Sequence, residues 1–145
     1  MIRTTVERAV ALRKVDAFSK VPIDQLAHVA AAAREEGCPA GSCLFREGEP
    51  PGSLFIILEG RVALEREGRE FAEAVAGEAL GTWSLFDDHP RRATARVVED
   101  ARVLVLDRDD FYEVLSENIE VLRSLVKNLV TRLHELTGLT TGESR

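Results

Sequence analysis

The chain reads as a mainly-β protein, a barrel or jelly roll with helices packed at both ends. Between residues 38 and 108, short apolar runs are broken at close intervals by Gly and Pro, which is how short antiparallel strands joined by tight turns look in sequence. On both sides of that stretch, apolar residues recur at helical 3,4 spacing instead.

Taken in order, residues 5–18 place Val6, Ala9, Val10, Arg13 and Ala17 on one side of a modest amphipathic helix. Pro22 suits the first turn of a second helix and Asp24 its N-terminal dipole. Leu26, Val29, Ala30 and Ala33 form the apolar stripe of that helix, and Gly37 is expected to end it. The strand signals follow: Cys43–Arg46, then the turn cluster 47–52, then the buried run Leu54–Leu58. Gly60 marks a turn or bulge, Arg61–Arg66 alternates, 67–69 is a hairpin turn, and Phe71–Val75 returns. Thr94–Val98 and Arg102–Asp107 are the last two strands expected. A short helix over 109–115 starts with acidic residues. A longer one over 118–136 carries a wide apolar stripe that includes Leu122, Leu125, Val126 and Leu129. The expected division is therefore helices over 1–37, barrel over 38–108, helices over 109–137 and a frayed tail over 138–145, all in one domain.

Composition narrows the function classes. At 145 residues the chain can bury one good core. No apolar run approaches the roughly 18 residues that cross a bilayer, and Arg3, Glu7 and Arg8 stand where a signal peptide needs an apolar block. The expectation is a cytoplasmic protein that does not enter the membrane. A net charge of −6 argues against direct nucleic-acid binding, which usually needs a basic face. Cys38 and Cys43 flank a tight turn and can in principle approach each other, but reduced thiols are expected in a cytosolic protein. His28, His89 and His134 show no ligand spacing, so no metal and no catalytic constellation is expected; a metal-dependent jelly-roll enzyme lacks its ligands here.

One stretch carries chemistry, Gly81-Thr82-Trp83-Ser84-Leu85-Phe86-Asp87-Asp88-His89-Pro90-Arg91-Arg92-Ala93-Thr94. A glycine lets backbone come close, a short helical turn aims its first amides outward, and an arginine fork follows a proline at the start of a strand. That order of parts suits a single phosphate. Trp83 and Leu85 are expected to anchor the turn in the core, and the Thr94 hydroxyl to brace its backbone.

The stretch resembles the phosphate-binding cassette of cyclic nucleotide-binding domains, the regulatory barrels of catabolite activators, cyclic-nucleotide-dependent kinases and gated channels. Its spacing from Gly81 to Arg91 matches without a gap, and 39–41, 46–49, 54–62 and 104–108 are similar to the family's barrel segments in the family order. The resemblance implies a regulatory cyclic AMP or cyclic GMP ligand, no other cofactor, and a ligand-binding set of Gly81, Thr82, Trp83, Ser84, Arg91, Arg92 and Ala93. Arg91 would pair with the cyclic phosphate. It also implies helices that move on binding, with Leu122, Leu125, Val126 and Leu129 as lid or interface residues, and a homodimer through residues 118–136. The output would go to an effector domain or protein.

Two positions depart from the family pattern. Where the family has a glutamate that bonds the ribose 2′-hydroxyl, this chain has Thr82, and where it has a small or hydroxyl residue, this chain has Arg92. These departures motivate a second reading, a barrel that no longer binds nucleotide and serves for dimerisation or docking. Only nine residues follow Leu136, too few for a DNA-reading helix-turn-helix unit, so the chain is not expected to be a complete transcription factor.

Overall fold

Two strands of 14 residues, β3 (Ser53–Arg66) and β6 (Thr94–Asp107), pair antiparallel along most of their length and form the spine of the protein. The structure is a computed structural model that describes residues 2–138. Around the spine the six strands run in the order β1 (Arg34–Cys38), β6, β3, β4 (Arg69–Val75). In addition, β2 (Cys43–Phe45) pairs with β6 and β5 (Ala79–Leu80) with β3. Helices α1 (Thr5–Arg13) and α2 (Ile23–Ala32), joined through the 3₁₀ turn η1 (Asp16–Phe18), precede the sheet. Helices α3 (Arg108–Glu117) and α4 (Ile119–Thr137) follow it, and a second 3₁₀ turn, η2 (Thr82–Leu85), lies between β5 and β6.

Successive side chains of a strand point to opposite faces, so the spine separates two cores. Phe55 and Ile57 of β3 meet Val103 and Val105 of β6 inside the barrel. Leu54 and Ile56 meet Leu104 and Leu106 on the other face, where Leu26, Phe18, Phe111 and Leu125 from the helices cover them. The register between the strands shifts three times between Ile57 and Val62. Gly60 sits there with φ +93°, and a Cβ on it would lie 2.5 Å from the Asp100 carbonyl oxygen and 2.7 Å from Ala101 Cα. Only glycine permits this crossing of the two chains, which bends the sheet towards closure.

Several elements differ from expectation. The segment expected to complete the second helix is β1: α2 stops at Ala32, Ala33 turns extended, and Arg34–Cys38 pairs with Val105–Ala101. Ladder pairing and the capture of Glu35 outweigh the helical preference of two glutamates. The first helix likewise ends at Arg13, because Val15 is extended before η1. The two expected last strands are one continuous β6. Cys38 pairs with Ala101 and Cys43 with Arg96, five residues apart along β6. At about 3.3 Å per residue they are too far apart for a disulfide, whose Cα atoms lie within about 7 Å. Both thiols are free.

The N-terminal helices are fastened to the sheet by charge as well as by apolar contact. The Glu35 side chain is 2% exposed and faces three arginines. It accepts from the Arg3 amide at 2.6 Å, Arg102 Nε at 2.9 Å and Arg8 Nη2 at 3.4 Å. Burial pushes its pKa up, but the Arg3 amide and the Arg102 and Arg8 guanidiniums outweigh burial and hold it below the usual carboxylate value. A carboxylate whose pKa is depressed by folding stabilises the fold above its unfolded pKa, and that stability is lost as pH falls through the folded pKa. Stability should therefore decline in acid below about pH 4. Glu35→Gln should unfold about 3 kcal/mol more easily at neutral pH and lose less on acidification, as read from urea midpoints across that range.

Candidate functional site

The expected cassette residues come together around one cavity of ≈ 560 Å³. Gly81, Thr82, Trp83, Ser84, Arg91, Arg92 and Ala93 all line it, with Phe45, Leu64 and Leu80 as its apolar wall. Gly81 opens η2 in the left-handed conformation, φ +75°, and the Ser84 amide donates back to the Gly81 carbonyl at 3.0 Å. This turn drives Leu85 fully into the helix-side core and buries Ser84.

Arg91 is a buried guanidinium whose backbone is clamped in both directions. Its amide donates to the Glu49 carbonyl and its carbonyl accepts from the Gly48 amide, both at 2.8 Å. From there the side chain crosses over the Phe45 ring, 4.3 Å from its centroid. Nη1 donates to Ser84 Oγ at 2.7 Å and Nη2 to the Ser53 carbonyl at 3.0 Å, while Nε is buried with no partner. Burial lowers the pKa of Arg91; the Glu49 carboxylate opposes that shift and the Arg108 guanidinium adds to it. The guanidinium does not pair with Asp87 or Asp88, the simplest alternative partners in sequence.

A second arginine secures the turn from behind. Arg108, the first residue of α3, donates to the Ser84 carbonyl from Nε at 2.9 Å and from Nη2 at 2.6 Å. It also reaches the Asp87 carbonyl, and its Nη1 bonds Asp88 Oδ1 at 3.0 Å. The Tyr112 hydroxyl donates to the Leu85 carbonyl at 2.7 Å. Ser84 is thus shared by two arginines, Arg91 at its hydroxyl and Arg108 at its carbonyl. Thr94 accepts from the Glu47 amide at 3.0 Å and braces the turn beside Arg91.

Trp83 is a correction. Expected in the core beside Leu85, it is 53% exposed and lines the cavity. In a 3₁₀ turn, residues three apart share a face, so Trp83 stacks with Phe86 at 5.8 Å while Ser84 and Leu85 take the inward positions. The candidates on α4 lie away from the cavity: Leu125 is buried in the helix core, Leu129 packs against it, Leu122 is half-buried and Val126 is exposed. The sequence does not mark Ser53, Phe45 or Arg108 as site residues. Ser53 acts through its backbone and Arg108 through a fold contact, and neither has a sequence signature. Phe45 follows a recognisable strand, but its ring becomes a site wall only once β2 pairs with β6.

The family model for the cyclic nucleotide-binding domain matches residues 35–118. The chain belongs to this family. Over 100 residues, 66% of its length, it is 33% identical to the CRP-like cAMP-activated global transcriptional regulator of Mycobacterium tuberculosis, and spans 45% of that protein. Among solved structures it is similar to the N-terminal domain of a transcriptional regulator from Streptomyces coelicolor A3(2), at 30% identity and TM-score 0.79, covering 93% of this chain and 99% of that one. A cyclic nucleotide-binding-like protein from Brucella abortus matches at 26% identity and TM-score 0.70, covering 76% and 98%. No helix among the described residues is long and apolar enough to cross a membrane.

In this cyclic nucleotide-binding domain, Gly81 is needed for space as well as for conformation. A Cβ there would lie 2.3 Å from Arg91 Nη1 and 3.0 Å from the Ser53 carbonyl. Gly81→Ala should lose about 1–2 kcal/mol in urea unfolding, from the left-handed backbone and the displaced guanidinium. A structure of the variant should show Arg91 moved away from Ser84.

Proposed function

We propose that the domain is a regulatory sensor that binds a cyclic nucleotide in the cavity at η2 and passes the bound state to its C-terminal helices. The observation that carries this reading is Arg91, a buried guanidinium with an unpartnered Nε–H at a cavity beside the left-handed Gly81. A buried cation without a carboxylate partner is costly, and an anionic phosphate in the cavity that Arg91 lines would offset its charge. Phe45, Leu64, Leu80 and Ala93 offer an apolar wall for the rest of such a ligand. Membership of the family, and a relative described as cAMP-activated, support cyclic AMP as the first ligand to try.

A second reading, a barrel that binds no nucleotide, is favoured by one observation. Two of the three Arg91 nitrogens are already bonded to Ser84 and Ser53, and Thr82 supplies no carboxylate beside them. Calorimetric titration with cyclic AMP and cyclic GMP separates the two. Saturable binding that Arg91→Ala abolishes supports the sensor; a folded protein that gives no heat supports the second reading. Thr82→Glu should tighten cyclic AMP binding by about tenfold or more, the worth of one charged hydrogen bond.

The output surface we assign is the exposed side of α4. Ile119, Leu122, Val126, Leu129, Leu133 and Leu136 recur at alternating intervals of three and four, and Ile119, Val126, Leu133 and Leu136 are exposed. Ile119 and Val126 at the first position of two repeats, Leu133 at that of the third, and Leu122, Leu129 and Leu136 at the fourth suit a parallel two-stranded pairing with a second copy of the chain. Val126→Glu with Leu133→Glu should convert a dimer to a monomer in sedimentation without unfolding it, because both residues lie outside the core. An unchanged mass would remove this seam as the interface.

A further inference from the structure

Helix α4 carries one buried polar side chain among the described residues, Asn128, which is 2% exposed. Its Nδ2 donates to the carbonyls of Asp16 at 3.1 Å and Ala17 at 2.6 Å, both in η1. No other donor among the described residues reaches the Ala17 carbonyl. The Oδ1 of the same amide is buried and bonded to nothing. Val121, Leu125, Asn128 and Arg132 share this docking face of the helix. Arg132 adds an ion pair to Asp16 at 3.4 Å, and Glu135 one to Lys20 at 3.9 Å.

An apolar residue at this position would pack against η1 without fixing a register and would leave the Ala17 carbonyl unpaired. The amide fits one register only, since two carbonyls of a tight turn must meet its two N–H groups. The orphaned Oδ1 keeps the hold weak, because water would satisfy it as soon as α4 lifted. The contact is therefore specific in geometry and easily reversed.

The turn that Asn128 holds also faces the cassette. Asp16, with Lys14 and Val15, lines a cavity of ≈ 310 Å³ whose opposite wall includes Thr82 and Trp83. A second route runs through rings: Phe18 of η1 meets Phe111 edge-on at 5.8 Å, Phe111 meets Phe86 at 5.8 Å, and Phe86 meets Trp83 at 5.8 Å. One three-residue turn thus bonds to α4 on one side and shares a cavity with the candidate ligand turn on the other.

We propose that Asn128 is a positioning residue, a polar latch that holds α4 on η1 in a single register, and that latched and released α4 are the two states between which the domain switches. The role of the latch in signalling rests on the sensor reading above; the latch itself does not. The docking face and the apolar seam lie about 100° apart around the helix, since residues advance about 100° each. Both can therefore be occupied at once, and release can reach a partner copy.

Hydrogen exchange on the 145-residue chain tests the latch. Asn128→Ala should lower protection over residues 129–137 and 15–19 by about tenfold, leaving β3 and β6 unchanged. Asn128→Asp supplies a readout that a packing role would not move. At neutral pH the introduced carboxylate opposes two carbonyls and the Asp16 carboxylate, and α4 should be released. Near pH 4 the protonated acid donates to the Ala17 carbonyl, and protection should return; burial raises the midpoint above about 4. Asp16, Lys20, Arg132 and Glu135 face the same spot, so wild type at both pH values is the control, and it should show no such recovery. Unchanged exchange in α4, an equal loss in β3 and β6, or no recovery of Asn128→Asp in acid would overturn the proposal. In titrations with cyclic AMP, Asn128→Ala should bind about threefold or more tightly, because part of the cost of releasing α4 is gone. A wild type that binds no nucleotide would defeat the sensor reading and leave the exchange result to decide the latch.

Discussion

The antiparallel pairing of β3 with β6 organises the rest of the molecule. Because the two strands are long and alternate on either side of the bend, each contributes one row of apolar side chains to the barrel interior and another to the helices. The helices cover the second row, and β1, β2, β4 and β5 complete the sheet around the first. All of this requires the spine to bend, and the bend occurs where Gly60 lies against Asp100 and Ala101 with no room for a side chain. The cassette begins directly after β5, so the site inherits its position from the same ladder.

Around the site, buried arginines do the structural holding that apolar side chains do elsewhere. Arg91 crosses under η2 to Ser53 and Ser84, and Arg108 holds the carbonyl side of the same turn. A guanidinium has a fixed fork and stays charged, so it can hold two backbone segments at set distances where a lysine could hold only one point. Sharing Ser84 between these forks links the cavity to the first residue of α3. On β1, Glu35 inverts the arrangement, one carboxylate gathering Arg3, Arg8 and Arg102. Two groups of arginines thus act as joints in an acidic chain, and the one at η2 lies at the cavity lined by the cassette.

The C-terminal helix combines two designs on different faces. One face buries Val121 and Leu125 in the helix-side core and bonds η1 through the amide of Asn128; the other is apolar and largely exposed. A helix held by a broad apolar seam is hard to move, because every methylene must be dehydrated or exposed together. On α4 that apolar hold is confined to Val121, Leu125 and part of Leu129, and the amide of Asn128 sets the register. The ring sequence from Phe18 to Trp83 gives such a movement a packed route to the cassette.

The helix–barrel–helix order, the glycine at the bend and the stretch that comes to line the cavity were legible in the sequence, because each depends on local chemistry. Alternation marks strands, 3,4 spacing marks helices, and a glycine at the head of a short turn marks a close approach of backbone. What the sequence misplaced depended on contacts between distant residues. The glutamates of β1 look helical until β6 pairs with them and three arginines gather on Glu35. Trp83 looks like core until the tight turn gives both inward positions to its neighbours. Asn128 carries no mark in the sequence, and only the fold brings two carbonyls of η1 to it. The sequence alone determined the fold type and the residues of the cassette, since backbone preference and burial pattern act over a few residues. The tertiary structure decided which donors of Arg91 are satisfied, which aromatic faces the cavity and which side of α4 stays free, since burial and hydrogen-bond partners exist only once remote segments meet.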